Sequence, residues 1–183
     1  VAVNVHHGRE AMLEHLAAQP EVHVSIEEDR ALGTAGAIGH LRDWIDGRGA
    51  LVVNADAWCE PDLAAFVAGW DGERVRVLVA GAAELGPRSR IVASLLPASA
   101  SRPLAAEPSG LYEVCWRGAQ AQGRLAAVGY GGPFVDCGTP ADYLQANLLA
   151  LWRMGTAAVV APDARVGPLA TVTDGVVGAG AVV

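Results

Sequence analysis

The stretch "ALVVNAD" (Ala50–Asp56), followed by "PDLAAFVAGW" (Pro61–Trp70) and "RVRVLVA" (Arg74–Ala80), decides the fold. Its first run is apolar and β-branched, which predicts a strand covered on both faces. Pro61 is well placed for the first turn of a helix, and the third run reads as another strand. Strands alternating with helices of about ten residues imply βαβ units and a mainly parallel sheet. In such sheets ligands bind beyond the carboxyl ends of the strands. Asp56 stands at that place, an acid where a buried strand runs out.

The same alternation extends outward in both directions. "VAVNV" (Val1–Val5) and "VHVSIEE" (Val22–Glu28) read as strands around the helical "GREAMLEHLAAQ" (Gly8–Gln19). A Gly-rich turn, "ALGTAGAIG" (Ala31–Gly39), follows, and the pattern becomes helical from Ala37, with Ile38, Leu41 and Ile45 on one side. The Pro/Ser/Ala-rich "LLPASASRPLAAEPSG" (Leu95–Gly110) reads as a loop or insertion. Beyond it "LAAVGY" (Leu125–Tyr130) is a strand and "GGPFVDCGTP" (Gly131–Pro140) a loop. "ADYLQANLLALWRM" (Ala141–Met154) is an amphipathic helix predicted to bury Tyr143, Leu144, Leu148, Leu151 and Trp152. In the tail, Val160, Val166 and Val172 recur every six residues among small residues, the pattern of β-helix coils. The expected division is residues 1–157 for the α/β domain and 158–183 for the start of a β-helix. Val1 in place of Met and the abrupt close at "VVGAGAVV" suggest a piece of a longer protein.

Composition removes several classes of function. The chain has 183 residues, 52% hydrophobic and 18% charged, so a packed domain is expected rather than disorder. A formal charge of −7 argues against nucleic-acid binding. No apolar run reaches the roughly 18–20 residues of a membrane span. All 13 basic residues are arginine, which excludes Schiff-base chemistry and lysine contacts to phosphate. Cys59, Cys115 and Cys137 lie far apart with no metal-type spacing, consistent with reduced thiols and a cytoplasmic location. The five histidines have no convincing ligand spacing.

Two carboxylates stand out by context. Asp56 after "LVVNA" and Asp136 in "PFVDCGTP" each end an apolar strand before turn residues. At the carboxyl edge of a parallel sheet they would converge and repel unless a cation joined them. Mg²⁺ suits such a pair, because it takes one or two carboxylates and completes its octahedron with water and phosphate. Either aspartate alone reads equally as a turn or capping residue. Gly33, Gly36 and Gly39 match neither the dinucleotide fingerprint nor a Walker loop. Their turn admits close approach by a base or phosphate, or simply lets helix and strand pack tightly.

In order along the chain, "LGTAGAI", "LVVNAD", "SGLYEV", "FVDCGTPADYLQAN" and the terminal hexads resemble the sugar-1-phosphate nucleotidyltransferases, in particular the mannose-1-phosphate guanylyltransferase-like branch. The resemblance implies a Rossmann-like domain followed by a left-handed β-helix through which copies associate. It implies transfer of a nucleotidyl group from an NTP to a sugar 1-phosphate, with Mg²⁺ held by Asp56 and Asp136 as catalytic and metal residues. Gly33, Thr34, Ala35 and Gly36 would line the base pocket, with Glu28 contacting the base. A carboxylate there would accept from guanine and favour GTP. Asn54, Ser109 and Gly110 would flank the sugar.

The chain departs from the pattern in two places. It begins after the position of the family's Gly-rich triphosphate loop, so the 183-residue piece alone is expected to be inactive. It also has no lysine where the family places one for the sugar phosphate, and Arg102 is the nearest replacement. A non-catalytic, nucleotide-sugar-binding regulatory subunit of the same fold is therefore the alternative. A hexapeptide-repeat acyltransferase would need a histidine within the coils, and none lies beyond His40.

Overall fold

A computed structural model describes residues 1–81 and 83–183. The elements are β1 (Ala2–Val5), α1 (Arg9–Leu16), β2 (His23–Ile26), α2 (Gly33–His40), α3 (Arg42–Ile45), β3 (Ala50–Val53), β4 (Ala57–Cys59) and α4 (Leu63–Ala68). They continue with β5 (Val75–Ala80), β6 (Ile91–Leu96), α5 (Ala98–Ser101), a π-helical turn at Tyr112–Trp116, α6 (Arg117–Ala121) and β7 (Leu125–Tyr130). The last are β8 (Phe134–Asp136), α7 (Pro140–Met154), β9 (Ala158–Val160) and β10 (Gly175–Val177). Two compact units result, one of Val1–Val53 with Asp62–Gly131, the other of Asn54–Pro61 with Gly132–Val183.

The first unit is built on a four-stranded sheet in the order β3-β6-β5-β7. Its two inner strands are the buried ones: Val75, Val77, Leu78 and Val79 of β5 and residues 92–96 of β6 are all shielded. Only β5 and β7 pair in parallel within this sheet; β3–β6 and β5–β6 are antiparallel. The sheet is thus mixed rather than mainly parallel. The physical cause is β6, a strand that the sequence reading did not assign. Among the described residues no crossover helix separates β5 from β6, and a chain returning without a crossover must pair antiparallel. A separate parallel pair joins β1 to β2.

β3 corrects a second expectation. Its residues alternate between shielded and open, with Leu51 41% and Val53 44% exposed. The exposed residues alternate, so one face of this strand is left open, and an apolar run does not ensure cover on both faces.

α2 carries its glycines at every third position, which sets Gly33, Gly36 and Gly39 on one face. Against that face lies the segment 104–110. A Cβ on Gly33 would come within 2.7 Å of the Ser109 carbonyl oxygen. One on Gly36 would run into the Glu107 carbonyl, and one on Gly39 into the backbone of Ala105. The opposite side of α2 sends Ile38 into a core shared with Ile45, Val77, Leu96, Leu104 and Trp116. The loop read from Leu95–Gly110 is therefore a strap packed on a helix, anchored by the buried Leu104.

In the second unit, β4 and β8 form an antiparallel ladder, with Ala57 opposite Asp136 and Cys59 opposite Phe134. α7 begins sharply because the Thr139 hydroxyl accepts from the Asp142 N–H and Pro140 occupies the first turn. It ends at Gly155 in the left-handed region, φ 67°. Ala146 and Leu151 are buried, while Tyr143, Leu144, Leu148 and Trp152 are exposed, against expectation. Apolar residues surround this helix, and β8 and β10 cover only part of it. Arg153 pairs with Glu60 beyond the end of β4. In the tail, β9 and β10 pair in parallel, and Arg165 bridges Val182 in the same sense. No helix among the described residues is long and apolar enough to cross a membrane.

The glycine face predicts an overpacking penalty. Gly36→Ala should destabilise the protein by about 1–3 kcal/mol, whereas Gly118→Ala, with open space around its Cβ, should be neutral or slightly stabilising. Urea melts of the two variants check this. Thr139→Ala should cost about 1 kcal/mol through loss of the α7 cap, measured in the same way.

Candidate functional site

The Gly-rich turn is already the first turn of α2, which starts at Gly33 with Leu32 at its N-cap. Leucine cannot cap a helix with its side chain, so the acceptor comes from elsewhere. Glu27 Oε2 accepts from the Leu32 N–H at 2.8 Å, and Oε1 accepts from Asn4 Nδ2 at 3.0 Å. Glu27 is only 3% exposed. Sequence reasoning chose its neighbour instead: Glu28 has a side chain 76% exposed, with Arg9 Nη1 4.0 Å from its Oε1. The signal that separates them is strand parity. Ser25 and Glu27 are buried two residues apart on the inner side, so Glu28 falls on the outer one.

The turn and the "SGL" motif are joined by hydrogen bonds. Ser109 N–H donates to Leu32 O at 2.9 Å, and Ala35 N–H donates to Ser109 O at 3.0 Å. Leu111 N–H donates to Thr34 Oγ1 at 3.2 Å. Ser109 Oγ is engaged by the Glu107 carbonyl at 2.9 Å, and Gly110 lies against Glu113. The helix end thus has its Leu32 and Ala35 N–H groups satisfied. The Gly33 and Thr34 N–H groups have no partner among the described residues, and both residues are exposed. Two adjacent free donors at a helix N-terminus suit a ligand edge rich in acceptors. The glycines therefore serve the packing role directly, and Ala35 and Gly36 are buried.

Arg102 does not stand beside this turn. The strap runs antiparallel to α2, so Ser109 meets the beginning of the helix and Ala105 its end. Eight helical residues span about 12 Å, and Arg102 lies beyond that far end. There it lines a cleft of about 370 Å³ with Arg42, Asp43, Asp46 and Ser101. Arg42 donates to the Leu104 carbonyl from the same cleft.

In the second unit, Asp56 and Asp136 occupy neighbouring positions. The Cys137 N–H donates to the Asp56 carbonyl at 2.8 Å, one step beyond the Ala57–Asp136 pair. They meet through an antiparallel ladder and not at the edge of a parallel sheet, because Asp56 lies in the turn before β4 instead of ending β3. Both are exposed, and neither carboxylate has a hydrogen-bond or ion-pair partner among the described residues. Gly138, where a Cβ would sit 3.4 Å from Asp136 Oδ1, keeps that carboxylate uncrowded. Among the described residues no three His, Cys, Asp or Glu side chains gather as a cage. An unpaired pair of carboxylates fits Mg²⁺, which keeps several waters and needs only one or two protein ligands. Asn54 is exposed in the same unit. The cysteines are free; burial pushes the Cys115 and Cys59 thiols up, which makes them poor nucleophiles.

No protein-family model matches the chain, and no curated protein does. Solved structures do match in fold. HddC from Yersinia pseudotuberculosis, complexed with GMP-PN, superposes with a TM-score of 0.59 at 16% identity, covering 79% of this chain and 76% of its own. A second HddC structure from the same organism gives 0.58 at 18% identity, with coverage of 79% and 76%. A protein from Bacillus anthracis assigned as a glucose-1-phosphate thymidylyltransferase, in complex with sucrose, gives 0.66 at 16% identity, covering 81% of this chain and 75% of its own. The chain shares the mixed α/β fold of these structures.

Proposed function

We infer that the protein transfers a nucleotidyl group from an NTP to a sugar 1-phosphate. An oxygen of the sugar phosphate attacks the α-phosphorus, the bond to the β-phosphate breaks, and pyrophosphate leaves with that electron pair. The product is an NDP-sugar. The observation that carries this reading is the pair of unpartnered carboxylates, Asp136 on the β4–β8 ladder and Asp56 in the turn that enters it, in a chain of this fold.

In this reading the free Gly33 and Thr34 N–H groups bind acceptors on the base, and the buried Ala35 and Gly36 form the floor beneath it. Ser109 and Gly110, fastened to the same turn, meet the sugar, as does Asn54. Asp56 and Asp136 hold Mg²⁺. The bound ion would neutralise charge on phosphate oxygens, which is the main need of phosphoryl-group chemistry. GTP remains the favoured nucleotide. HddC was solved with GMP-PN, and the Glu28 side chain is exposed. The parallel-paired tail is read as the start of a left-handed β-helix through which copies of the chain associate.

One observation favours a second reading, that of a nucleotide-sugar-binding regulatory subunit. The chain has no lysine, and Arg102 lies at the wrong end of α2 to serve the sugar phosphate beside Ser109. Calorimetry with an NDP-sugar alongside a pyrophosphate-release assay, both on the full-length protein, distinguishes the two: binding without release identifies the regulator.

For the enzyme, Asp56→Asn and Asp136→Asn should each lower Mg²⁺-dependent pyrophosphate release by at least about a hundredfold. Their melting temperatures should stay close to that of the unmodified protein, because both side chains are exposed. Near-normal release by either variant overturns the assignment.

A further inference from the structure

We propose that Glu27 is the positioning residue of the nucleotide-binding turn, deciding which backbone N–H groups of α2 remain free for the ligand; this role rests on the nucleotidyl-transfer reading above. Glu27 is the one charged side chain among the described residues that is buried. It is fixed from four directions. Its N–H donates to Val5 O at 2.9 Å, and its carbonyl lies 2.7 Å from His6 Nδ1. Its two carboxylate oxygens take Asn4 Nδ2 and the Leu32 N–H. Among the described residues none forms an ion pair with it, so both oxygens depend on hydrogen bonds to offset the loss of water.

A helix that needs only a cap places Ser, Thr, Asp or Asn at the N-cap itself. Here the N-cap is Leu32, buried, and the acceptor arrives from the end of β2. A cap supplied in this way also locks the start of α2 to β1 and β2. It takes up the Leu32 N–H, Ser109 takes up that of Ala35, and the Gly33 and Thr34 donors are left held between two fixed points. Without Glu27 the Leu32 N–H would need another acceptor, and the first turn of α2 would tilt or fray.

Three variants of the full protein test this. Glu27→Ala should raise the KM for the NTP by about tenfold or more while changing kcat much less. It should also speed amide hydrogen exchange at Leu32. Glu27→Gln should restore KM to within about threefold of the unmodified value, because its amide oxygen can still accept from Leu32 and Asn4 can turn its own amide to match. Asn4→Ala, which loosens the carboxylate without removing it, should shift KM in the same direction by less; it keeps the test open if Glu27→Ala does not fold. A purely structural role would lower the melting temperature and leave KM and the exchange at Leu32 unchanged, and that result overturns the proposal. So does a Glu27→Gln variant as impaired as Glu27→Ala. If the unmodified protein neither binds an NTP nor releases pyrophosphate, the reading of the turn itself fails and this role fails with it. Tight NTP binding by both the unmodified protein and Glu27→Ala leaves that reading intact and removes only Glu27.

Discussion

The close approach of the segment 104–110 to the glycine face of α2 is the constraint from which the first unit takes its form. Backbone presses on helix at three successive levels, and nothing larger than a hydrogen atom fits between them. Interiors pack at crystal-like density and relax poorly around added atoms. The contact therefore fixes the strap, and the strap fixes Ser109 against Leu32 and Ala35. Leu104 at one end and Leu111 at the other are both buried, so the segment is pinned into the core on either side of the contact. The same glycines that suggest a ligand turn are consumed in building it. What remains for a ligand is the exposed rim of Gly33 and Thr34.

Much of this was legible in the sequence, because one-dimensional patterns report local structure well. The alternation of "VAVNV", "VHVSI" and "RVRVLVA" with amphipathic segments gave most of the strands and helices. Sheet direction was less accessible. β6 escaped because Ser94 interrupts its apolar run, and without β6 the βαβ rhythm continued unopposed. Ser94 is 1% exposed, so the sheet tolerates a small polar side chain in its interior that pattern reading takes for an edge.

The candidate site divides in the same way. Asp56 and Asp136 were chosen from motif context; they lie at neighbouring positions, joined by an antiparallel ladder and not at the edge of a parallel sheet. Glu28 was chosen over Glu27 because sequence order does not say which of two adjacent acids points inward; the inward face became visible only through the buried Ser25. Arg102 looked close to "SGLY" along the chain. An extended strap carries its ends far apart, and sequence proximity then misleads. α7 misled by excess: apolar residues lie well beyond one stripe, so the stripe read from it, Tyr143 to Trp152, was not the side that is buried.

The free side of β3 has a colloidal consequence. An edge strand offers unpaired N–H and C=O groups to any extended chain that comes near. Natural edges are defended by charge or proline, and Ala50–Val53 contains neither, while Leu51 and Val53 lie open on its surface. Mutual repulsion between molecules of charge −7 is then the main barrier to edge-to-edge contact. That barrier reaches only about 10 Å in 0.1 M salt. Solutions of this chain should accordingly grow more prone to association as ionic strength rises, the opposite of what copies held together by intermolecular salt bridges would do.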